Sequence, residues 1–449
     1  MTYQKFKAEA TTPEKTADFI RRAIRAHEGS DAYKEAVIAR RYYDGENVTI
    51  SDRRNIFYDN NGVAYQDPWS PNHKLKSRFF EAAVNQRASF LLAGGIVFGN
   101  PETKDKLSIP GKSIDTQTFV AAIEAYIGGK SYTFFNHDHV EVFSRETFVE
   151  IPNARDGAMK AGIRYWRYAD DTPLNAYLFE EDGYSVYEEN DNKELVLVAP
   201  KRAYRQRVVR SDLTEEIVDG EPYPFLPIVP LAINRRGTSL LHGNRETIDA
   251  LDIMRSVGVN RAVSNAVIWM FEGLQGMNDT DIATCIANAI RCNGIATPPA
   301  ETGARVHPER IEQPFEGTSV MIEEVKKQLN EDFCIMNPQQ IVAGSDTATA
   351  IRAAYEPLNV STNVFELVHF DTYLSQILAL AGIEDTFSFK RDTQTNKQED
   401  IQTLTMLAPY VDDQYIRETG MTVLGDVDKI EDVSRRVDSA AAARVEEAV

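Results

Sequence analysis

The stretch NRETIDALDIMRSVGVNRAVSNAVIWMF, from Asn244 to Phe271, carries the strongest architectural pattern in the chain. It predicts one long helix, because its apolar residues Ile248, Leu251 and Met254 fall on one side. Polar residues recur on another side: Asp249, Asp252, Ser256, Asn260 and Ser264. Two faces of opposite character predict a helix that packs against neighbours.

A second amphipathic helix is predicted from Thr318 to Asn337, with the sequence TSVMIEEVKKQLNEDFCIMN. Its apolar residues repeat every four positions: Met321, Val325, Leu329 and Phe333. Glu323 and Lys327 have the spacing of a favourable ion pair across one helical turn. The two helices bracket an insertion of about 45 residues with its own turns, from Glu272 to Phe315.

Helices are also predicted in the N-terminal part of the chain. The pattern is helical from Thr11 to Tyr43, and Thr12 followed by Pro13 is typical of a helix start. Two further helices are predicted from about His73 to Leu92 and from about Asp115 to Gly128.

The hydrophobic period changes after these helices. Residues 131–210 are rich in Tyr, Phe, Val and Thr and are divided by turn clusters, which predicts an antiparallel β meander. Its clearest hairpin joins Tyr184–Tyr187 to Leu195–Val198 through an Asn-Asp-Asn turn. The basic run Lys201–Arg210 fits either a contact with nucleic acid or an exposed strand edge protected by charge.

The C-terminal part begins with a loop and then becomes helical. The small and polar residues 339–349 predict the loop. A helix follows from about Ala350 to Ala381, and Pro357 is expected to kink or interrupt it. A short strand is predicted from Thr386 to Arg391, and the residues after it are predicted to be helical.

The chain is acidic: of 449 residues, 49 are Lys or Arg and 68 are Asp or Glu, so its formal net charge is -19. Tight nonspecific binding to DNA is disfavoured, because such binding depends on cations that neutralise phosphates. Passage of DNA through a confined channel is compatible with this charge, since an acidic wall does not trap a polyanion. The three cysteines lack paired spacing, which argues against a disulfide framework and a zinc ribbon.

A soluble protein in a reducing compartment is expected. The N-terminus lacks the apolar segment of a signal peptide, and no apolar run approaches the roughly 20 residues that span a bilayer. Motifs of nucleotide-driven motors, zinc proteases and serine hydrolases do not occur in the sequence. His137 and His139 could share a metal ion with Asp138, but a solvated strand end or turn is the commoner explanation. No catalytic residue, cofactor or metal site is therefore predicted.

Several short motifs follow one another in an order found in the portal proteins of tailed bacteriophages. These motifs are Tyr42–Gly45, Asn72–Leu75, Phe90–Gly94, Pro224–Leu231, Ile248–Asp252, Phe387–Phe389 and Tyr415–Thr419. By their shared order the chain resembles the family that contains the portal of the Bacillus phage SPP1, over nearly its whole length.

The resemblance implies an α+β fold with a mostly helical, elongated protomer. It would have a β-rich wing, two long stem helices, a small α/β clip inserted between them and a helical C-terminal crown. The implied segments are the wing at 1–243, the first stem helix at 244–271, the clip at 272–316, the second stem helix at 317–337, the tunnel loop at 338–349, a kinked wing or crown helix with a short strand at 350–394, and the crown and tail at 395–449.

The resemblance also implies which residues act, although residues 339–349 could equally be a mere helix connector. The residues expected to face the channel and to contact DNA transiently are Gln339, Gln340, Ser345, Asp346 and Thr347. Those expected to dock an adaptor in the clip are Asp279, Asp281, Glu301 and Arg305. Those expected to act on the stem are Asp249, Asp252, Ser256, Asn260, Glu323 and Lys327.

The implied function is structural rather than enzymatic. Such proteins form a ring of about twelve identical subunits at one capsid vertex, a channel for packaging and ejection of double-stranded DNA. The implied partners are further copies of the chain, double-stranded DNA, the terminase large subunit, a head-completion or adaptor protein, and the major capsid and scaffolding proteins, with no membrane and no cofactor. The implied location is the virion, after assembly in the cytoplasm of the host bacterium.

Two other functions stay open at this point. One is a different head–tail connector or minor capsid component without a DNA channel. The other is a metal-dependent enzyme that processes DNA or a carbohydrate, which would need at least three carboxylates converging on one site. No spacing in the sequence indicates such a set.

Overall fold

A computed structural model of the chain describes residues 1–58, 63–66, 71–211, 214–264, 267–272, 280, 305–310, 315–336, 348–389, 404–406, 416, 419 and 420. The chain divides into two compact units. The first unit comprises Met1–Ile335 with Val360–Lys390, and the second comprises Met336–Asn359 with Arg391–Val449. The features that follow lie in the first unit, apart from the N-terminal part of one helix.

Helices and antiparallel sheets together make this an α+β fold, as the resemblance implied. The helices are α1 Tyr3–Glu9, α2 Pro13–Glu28, α3 Asp31–Tyr43, α4 Val48–Asp52, α5 Phe79–Leu92, α6 Glu102–Lys106, α7 Ile114–Gly128, α8 Arg245–Ser264, α9 Phe315–Asp332, α10 Ala348–Phe365 and α11 Asp371–Ala381. The strands are β1 Ile56–Tyr58, β2 Ala64–Gln66, β3 Ile96–Phe98, β4 Lys130–Asn136, β5 His139–Ser144, β6 Phe148–Pro152, β7 Met159–Trp166, β8 Asn175–Glu180, β9 Gly183–Glu189, β10 Leu195–Arg202, β11 Gln206–Ser211, β12 Thr214–Asp219, β13 Ile228–Ala232, β14 Val267–Glu272, β15 Arg305–Arg310 and β16 Phe387–Phe389.

The predicted N-terminal helix is two helices. The start of α2 is as predicted, with Pro13 in the first turn and the Thr12 hydroxyl accepting a hydrogen bond from the backbone N–H of Lys15 at 3.4 Å. Helix α2 ends at Glu28, just before Gly29. The hydroxyl of Ser30 then caps α3 by accepting a hydrogen bond from the backbone N–H of Tyr33. A single helix from Thr11 to Tyr43 is therefore wrong, because the cap at Ser30 starts a new one.

Strands β6 to β10 form a five-stranded antiparallel meander in sequence order, which confirms the predicted meander over these residues. One face of this sheet packs against α1 and α2. This smaller core contains Phe6, Phe19, Ile20, Ile24, Val149, Ile151, Ile163, Leu178 and Leu195. The predicted hairpin is also present, since β9 pairs with β10 and Leu195 lies opposite Glu189.

The other β strands do not extend this meander. Strand β4 pairs with both β13 and β5 in a separate three-stranded sheet, and among the described residues β11 forms a two-stranded sheet with β12. Helices α3, α5 and α7 pack with this three-stranded sheet into the larger core. Aromatic rings fill the space between the two sheets: Phe134, Phe143, Phe148, Phe179 and Tyr204.

The two long helices predicted around the insertion differ from expectation at their ends. Helix α8 ends at Ser264, and Val267–Glu272 forms β14, which pairs with β15. This run is β-branched and aromatic, a composition that favours a strand over a helix. Helix α9 ends at Asp332 rather than Asn337, because Cys334 adopts a left-handed conformation with a φ of 49°.

The C-terminal helices confirm part of the prediction. Helix α10 continues through Pro357, and the departure from α geometry comes later, in a π turn at Glu366–Phe370. Strand β16 pairs with β3, so that Phe387 lies opposite Phe98. This confirms the predicted short strand over its described residues.

Candidate functional site

The polar face of α8 binds an extended segment of the same chain, residues 73–77, which we call the clamped segment. Backbone N–H groups of the segment donate to side chains spaced four residues apart on the helix. The bonds run from Ser77 N to Asp252 Oδ1 at 2.8 Å, from Leu75 N to Ser256 Oγ at 2.9 Å, and from His73 N to Asn260 Oδ1 at 2.7 Å.

The repeat of these bonds follows from backbone geometry. Four residues of an α-helix rise about 6 Å, and two residues of an extended chain rise about 6.6 Å. Every second N–H of an extended segment therefore matches every fourth side chain of a helix. The clamped segment runs antiparallel to α8, since Ser77 meets Asp252 and His73 meets Asn260.

The first turns of α8 are held by a second set of contacts. Asp249 accepts hydrogen bonds from the hydroxyl of Tyr42 and, at 2.6 Å, from the hydroxyl of Thr49. The second carboxylate oxygen of Asp252 accepts from the side-chain amide of Asn47. Burial raises the pKa of Asp252, although these hydrogen bonds favour its charged form.

Three of the motifs that carry the resemblance meet at this site. Tyr42 belongs to Tyr42–Gly45, and Leu75 belongs to Asn72–Leu75. Asp249 and Asp252 belong to the motif at the start of α8. Their contact is not evident in the sequence, because a helical period shows which face is polar and not which segment it binds.

The structure changes the role of the predicted stem residues. Asp249, Asp252 and Ser256 are buried, and their side-chain oxygens are bonded within the chain. These three side chains are therefore engaged within the chain. On α9, Glu323 and Lys327 are exposed and form no ion pair within the part of the chain that the structure describes, so the predicted pair is wrong.

Helices α8 and α9 pack against each other, and strands β14 and β15 join them at one end. Apolar residues are exposed on both helices next to this end: Val259, Val263, Val320 and Met321. We call these four residues the stem apolar surface. Toward the other end the apolar side chains are buried, with Leu329 and Phe333 fully inaccessible.

The clip and tunnel-loop predictions fall mostly outside the described residues. Arg305 is described as the first residue of β15, where it lies opposite Glu272 in the ladder. The pairing therefore places Glu272 and Arg305, the residues that flank positions 273–304, side by side. The predicted site residues outside the described part are Asp279, Asp281, Glu301, Gln339, Gln340, Ser345, Asp346 and Thr347.

The first residues of the basic run make contacts within the fold. The ammonium group of Lys201 lies 3.0 Å from the carboxylate of Glu180 and also pairs with Asp182. The hydroxyl of Tyr204 donates to the backbone oxygen of Glu180 at 2.6 Å, and burial raises the pKa of Tyr204. These contacts favour the structural explanation for Lys201 and Tyr204, and the side chains of Arg207 and Arg210 lie outside the described part.

The close histidine pair is accounted for by local contacts. His139 lies 2.8 Å from Asp138 through Nδ1 and 3.5 Å from Glu141 through Nε2. Among the described residues no group of three or more His, Cys, Asp or Glu side chains has the geometry to hold a metal ion. Within the same residues, no helix combines the length and apolar character that crossing a membrane requires.

Among known proteins, the chain is similar to several solved structures. No protein-family model and no curated protein matches the chain. The neck of the native gene transfer agent particle, computed with C12 symmetry, is 12% identical with a TM-score of 0.41, covering 76% of this chain and 88% of that chain. The neck of the empty particle, computed with C6 symmetry, is 11% identical with a TM-score of 0.42, covering 76% and 89%.

A third likeness is to an HK97 family phage portal protein from Corynebacterium diphtheriae. It is 12% identical with a TM-score of 0.35, covering 69% of this chain and 92% of that chain. These solved structures are thus of a portal protein and of gene transfer agent necks, and they do not bear on the SPP1-type subfamily. Their TM-scores lie below 0.5, so the function proposed below rests on the geometry of the chain itself.

Proposed function

We propose that the chain is the subunit of a tailed-bacteriophage portal, of the SPP1 type, that forms a ring at one capsid vertex. Double-stranded DNA would pass through this ring during packaging and ejection. The observation that carries the proposal is the helix pair α8 and α9, joined at one end by the β14–β15 hairpin. Residues 273–304 are inserted at the end of this hairpin, as a clip is inserted between two stem helices.

The stem apolar surface supports self-association. Val263 is 57% exposed and Val320 is 66% exposed, and both lie next to the hairpin end of the helix pair. Large apolar side chains that are exposed near one end of a helix pair favour burial against another protein. A closed ring repeats one heterologous contact, so this surface would meet a different surface of the next subunit.

The polar face of α8 has a different role in this proposal. Its hydrogen bonds with the clamped segment tie α8 to the N-terminal part of the chain. A stem helix anchored in this way would hold its orientation while DNA moves past it. The ring contact is then left to the stem apolar surface.

The acidic charge suits a channel for DNA. The whole chain has 68 acidic against 49 basic residues, and a channel wall with such an excess would give phosphates few places to bind. In this proposal residues 339–347 contact DNA transiently as a tunnel loop. Residues 273–304 dock the head-completion or adaptor protein, and the ring receives the terminase large subunit during packaging.

The proposal is tested in a phage that lacks this gene and receives it from a plasmid. We expect the wild-type chain to restore nuclease-protected DNA in purified particles. A chain in which residues 339–347 are replaced by a Gly-Ser linker of equal length should enter particles but package or retain less DNA. Full particles without the gene would contradict the portal function, and unchanged DNA content with the linker would contradict the role of the loop.

A further inference from the structure

A groove of about 480 Å³ lies between α2 and β10, the edge strand of the five-stranded sheet. Four consecutive residues at the N-terminal end of β10 line it, from Glu194 to Leu197. Successive side chains of a strand point to opposite faces of its sheet, so a groove lined by consecutive residues runs along the edge of the strand. Nothing in the portal function proposed above uses this groove.

The edge of β10 keeps unused backbone groups. Leu195 lies opposite Glu189, whose backbone N–H donates away from β10, to the backbone oxygen of Leu174 at 2.9 Å. Bonded and unbonded pairs alternate along an antiparallel ladder, so Val196 is bonded to β9 and its neighbours Leu195 and Leu197 are not. The N–H and C=O groups of these two leucines therefore point to the open edge. Among the described residues they have no hydrogen bond there.

The first part of this edge is open, and the second part is protected. Pro200 has no N–H to donate, and the ladder with β9 is irregular between Leu197 and Ala199. Lys201 adds a charge near the end of the strand. Proline, bulges and lysine are features by which proteins protect exposed sheet edges from another strand. The stretch Leu195–Leu197 has none of these features.

The walls of the groove carry unpaired negative charge. Glu14 and Asp18 lie one turn apart on α2 and are exposed, and Glu194 adds a third carboxylate from the strand side. None of the three forms an ion pair within the described part of the chain. Arg21 also lines the groove, but its guanidinium donates to the backbone oxygen of Lys193 at 2.6 Å. The charge of the groove therefore complements a cationic partner.

We propose that this edge binds an extended segment of a partner protein as a sixth, antiparallel strand, in which lysine or arginine alternates with apolar residues. Its backbone would bond the free N–H and C=O groups of Leu195 and Leu197. The residues that make these bonds lie directly opposite the two leucines, so their side chains point to the α2 face as the leucines do. Lysine or arginine there would pack its aliphatic stem against Ala17 and place its charge at Asp18. The apolar residues between them would lie beside Val196 on the other face.

The test is fluorescence anisotropy of the labelled hexapeptide Lys-Val-Lys-Val-Lys-Val with the full chain at low ionic strength. N-methylation of every lysine removes the N–H groups that would donate to β10. N-methylation of every valine is the matched control, because it removes N–H groups that would point away from β10. We expect the peptide methylated at lysine to bind about tenfold more weakly than the peptide methylated at valine. A peptide with glutamate in place of lysine should not bind.

A pair of double variants locates the site on the chain. Glu14→Gln with Asp18→Asn removes two carboxylates of the groove and should weaken binding of the unmodified peptide by about two- to tenfold. Asp170→Asn with Asp171→Asn makes the same change of charge at an exposed turn that does not line the groove, and binding should stay unchanged. A wild-type chain that does not bind the peptide, equal binding of the two methylated peptides, or equal binding by the two double variants would each overturn the proposal, whether or not the chain forms rings.

Discussion

The backbone N–H of Ser77 donates a 2.8 Å hydrogen bond to the carboxylate of Asp252, a residue 175 positions later in the sequence. This bond is the first of three that fix an extended segment along α8. It also explains why α5 begins at Phe79 and not at His73 as predicted. The N–H groups of residues 73, 75 and 77 are bonded to α8, so these residues stay extended.

Replacing Asp252 by Ala should destabilise the chain by about 2–4 kcal/mol. The change leaves the buried N–H of Ser77 without an acceptor and removes one of the two acceptors of the Asn47 side-chain amide, which keeps the backbone oxygen of Ser77. Each lost acceptor costs about 1–3 kcal/mol. The free energy of unfolding is measured by urea denaturation at one fixed protein concentration. Asp170→Ala removes an exposed carboxylate and should change it by less than about 0.5 kcal/mol. Equal effects of the two variants would show that the clamped segment does not stabilise the fold.

Gly129 ends α7 with a φ of 81°, and its replacement by Ala should cost about 3 kcal/mol or more. The added Cβ would overlap the backbone oxygen of Gly237 and lie 2.6 Å from the carbonyl carbon of Thr238. Backbone atoms cannot rotate away as a side chain can. Thermal unfolding monitored by circular dichroism measures the loss.

A Gly111→Ala variant distinguishes the two causes of that loss, backbone strain and steric overlap of the added Cβ. The φ of Gly111 is 85°, but a Cβ there would meet nothing within 4 Å, so Gly111→Ala should cost only the backbone strain of about 1 kcal/mol. If both variants lose the same stability, close packing at Gly129 has no measurable effect.

The imidazole of His27 should make stability fall as the solution becomes acidic. Burial lowers the pKa of His27 below its ordinary value of 6.5, although a contact with the backbone oxygen of Arg145 at 2.9 Å opposes the shift. Below pH 6.5 the unfolded chain binds this proton more readily than the folded chain. Stability from this group is therefore present above pH 6.5 and is lost as the pH falls, by at most about 1.4 kcal/mol per pH unit.

A His27→Gln variant has no imidazole at this position to bind a proton. Urea denaturation at a series of pH values between 7 and 5 should show the wild type losing its advantage over the variant as the pH falls. A difference in unfolding free energy that stays constant over this range would contradict the account of His27.

Removing residues 273–304 should leave the rest of the fold intact. The ladder places Glu272 opposite Arg305, so an Asn-Gly turn can join the two strands as a hairpin. We expect this variant to be purified with wild-type helix and sheet content by circular dichroism. It should form rings but should not restore infectious particles to a phage lacking the gene, because the proposed adaptor site is gone. Infectivity equal to wild type would show that these residues are not a docking site.

Local patterns predicted the parts of the fold that depend on neighbouring residues. Thr12 with Pro13 indicated the start of α2, and the alternating residues around the turn at 190–192 indicated the β9–β10 hairpin. The polar stripe of α8 was also found from its period. Its partner could not be found in this way, because Asp252 and Ser77 meet only through the tertiary fold.

Predictions that extended one pattern too far were wrong. The helix predicted to Phe271 ends at Ser264, since the period alone did not weigh the strand preference of Val267–Glu272. Asp249 and Asp252 were predicted as residues of the stem, and the sequence did not show that both are buried and bonded to the N-terminal part of the chain.

The stem apolar surface makes assembly sensitive to one exposed residue. Val263→Glu should weaken ring formation, because it places a charge on a surface that the ring would bury. Tyr168→Ser removes an exposed aromatic residue from a turn of the five-stranded sheet and should leave assembly unchanged.

The measurement that tests the portal proposal most directly is the mass and symmetry of the purified wild-type chain. Native mass spectrometry gives the number of subunits, and electron microscopy of the same sample gives the top view. The proposal predicts a closed ring of about twelve subunits with a central hole wide enough for a DNA duplex. A monomer or dimer at every concentration and salt condition, with scaffolding protein present as well as absent, would contradict it.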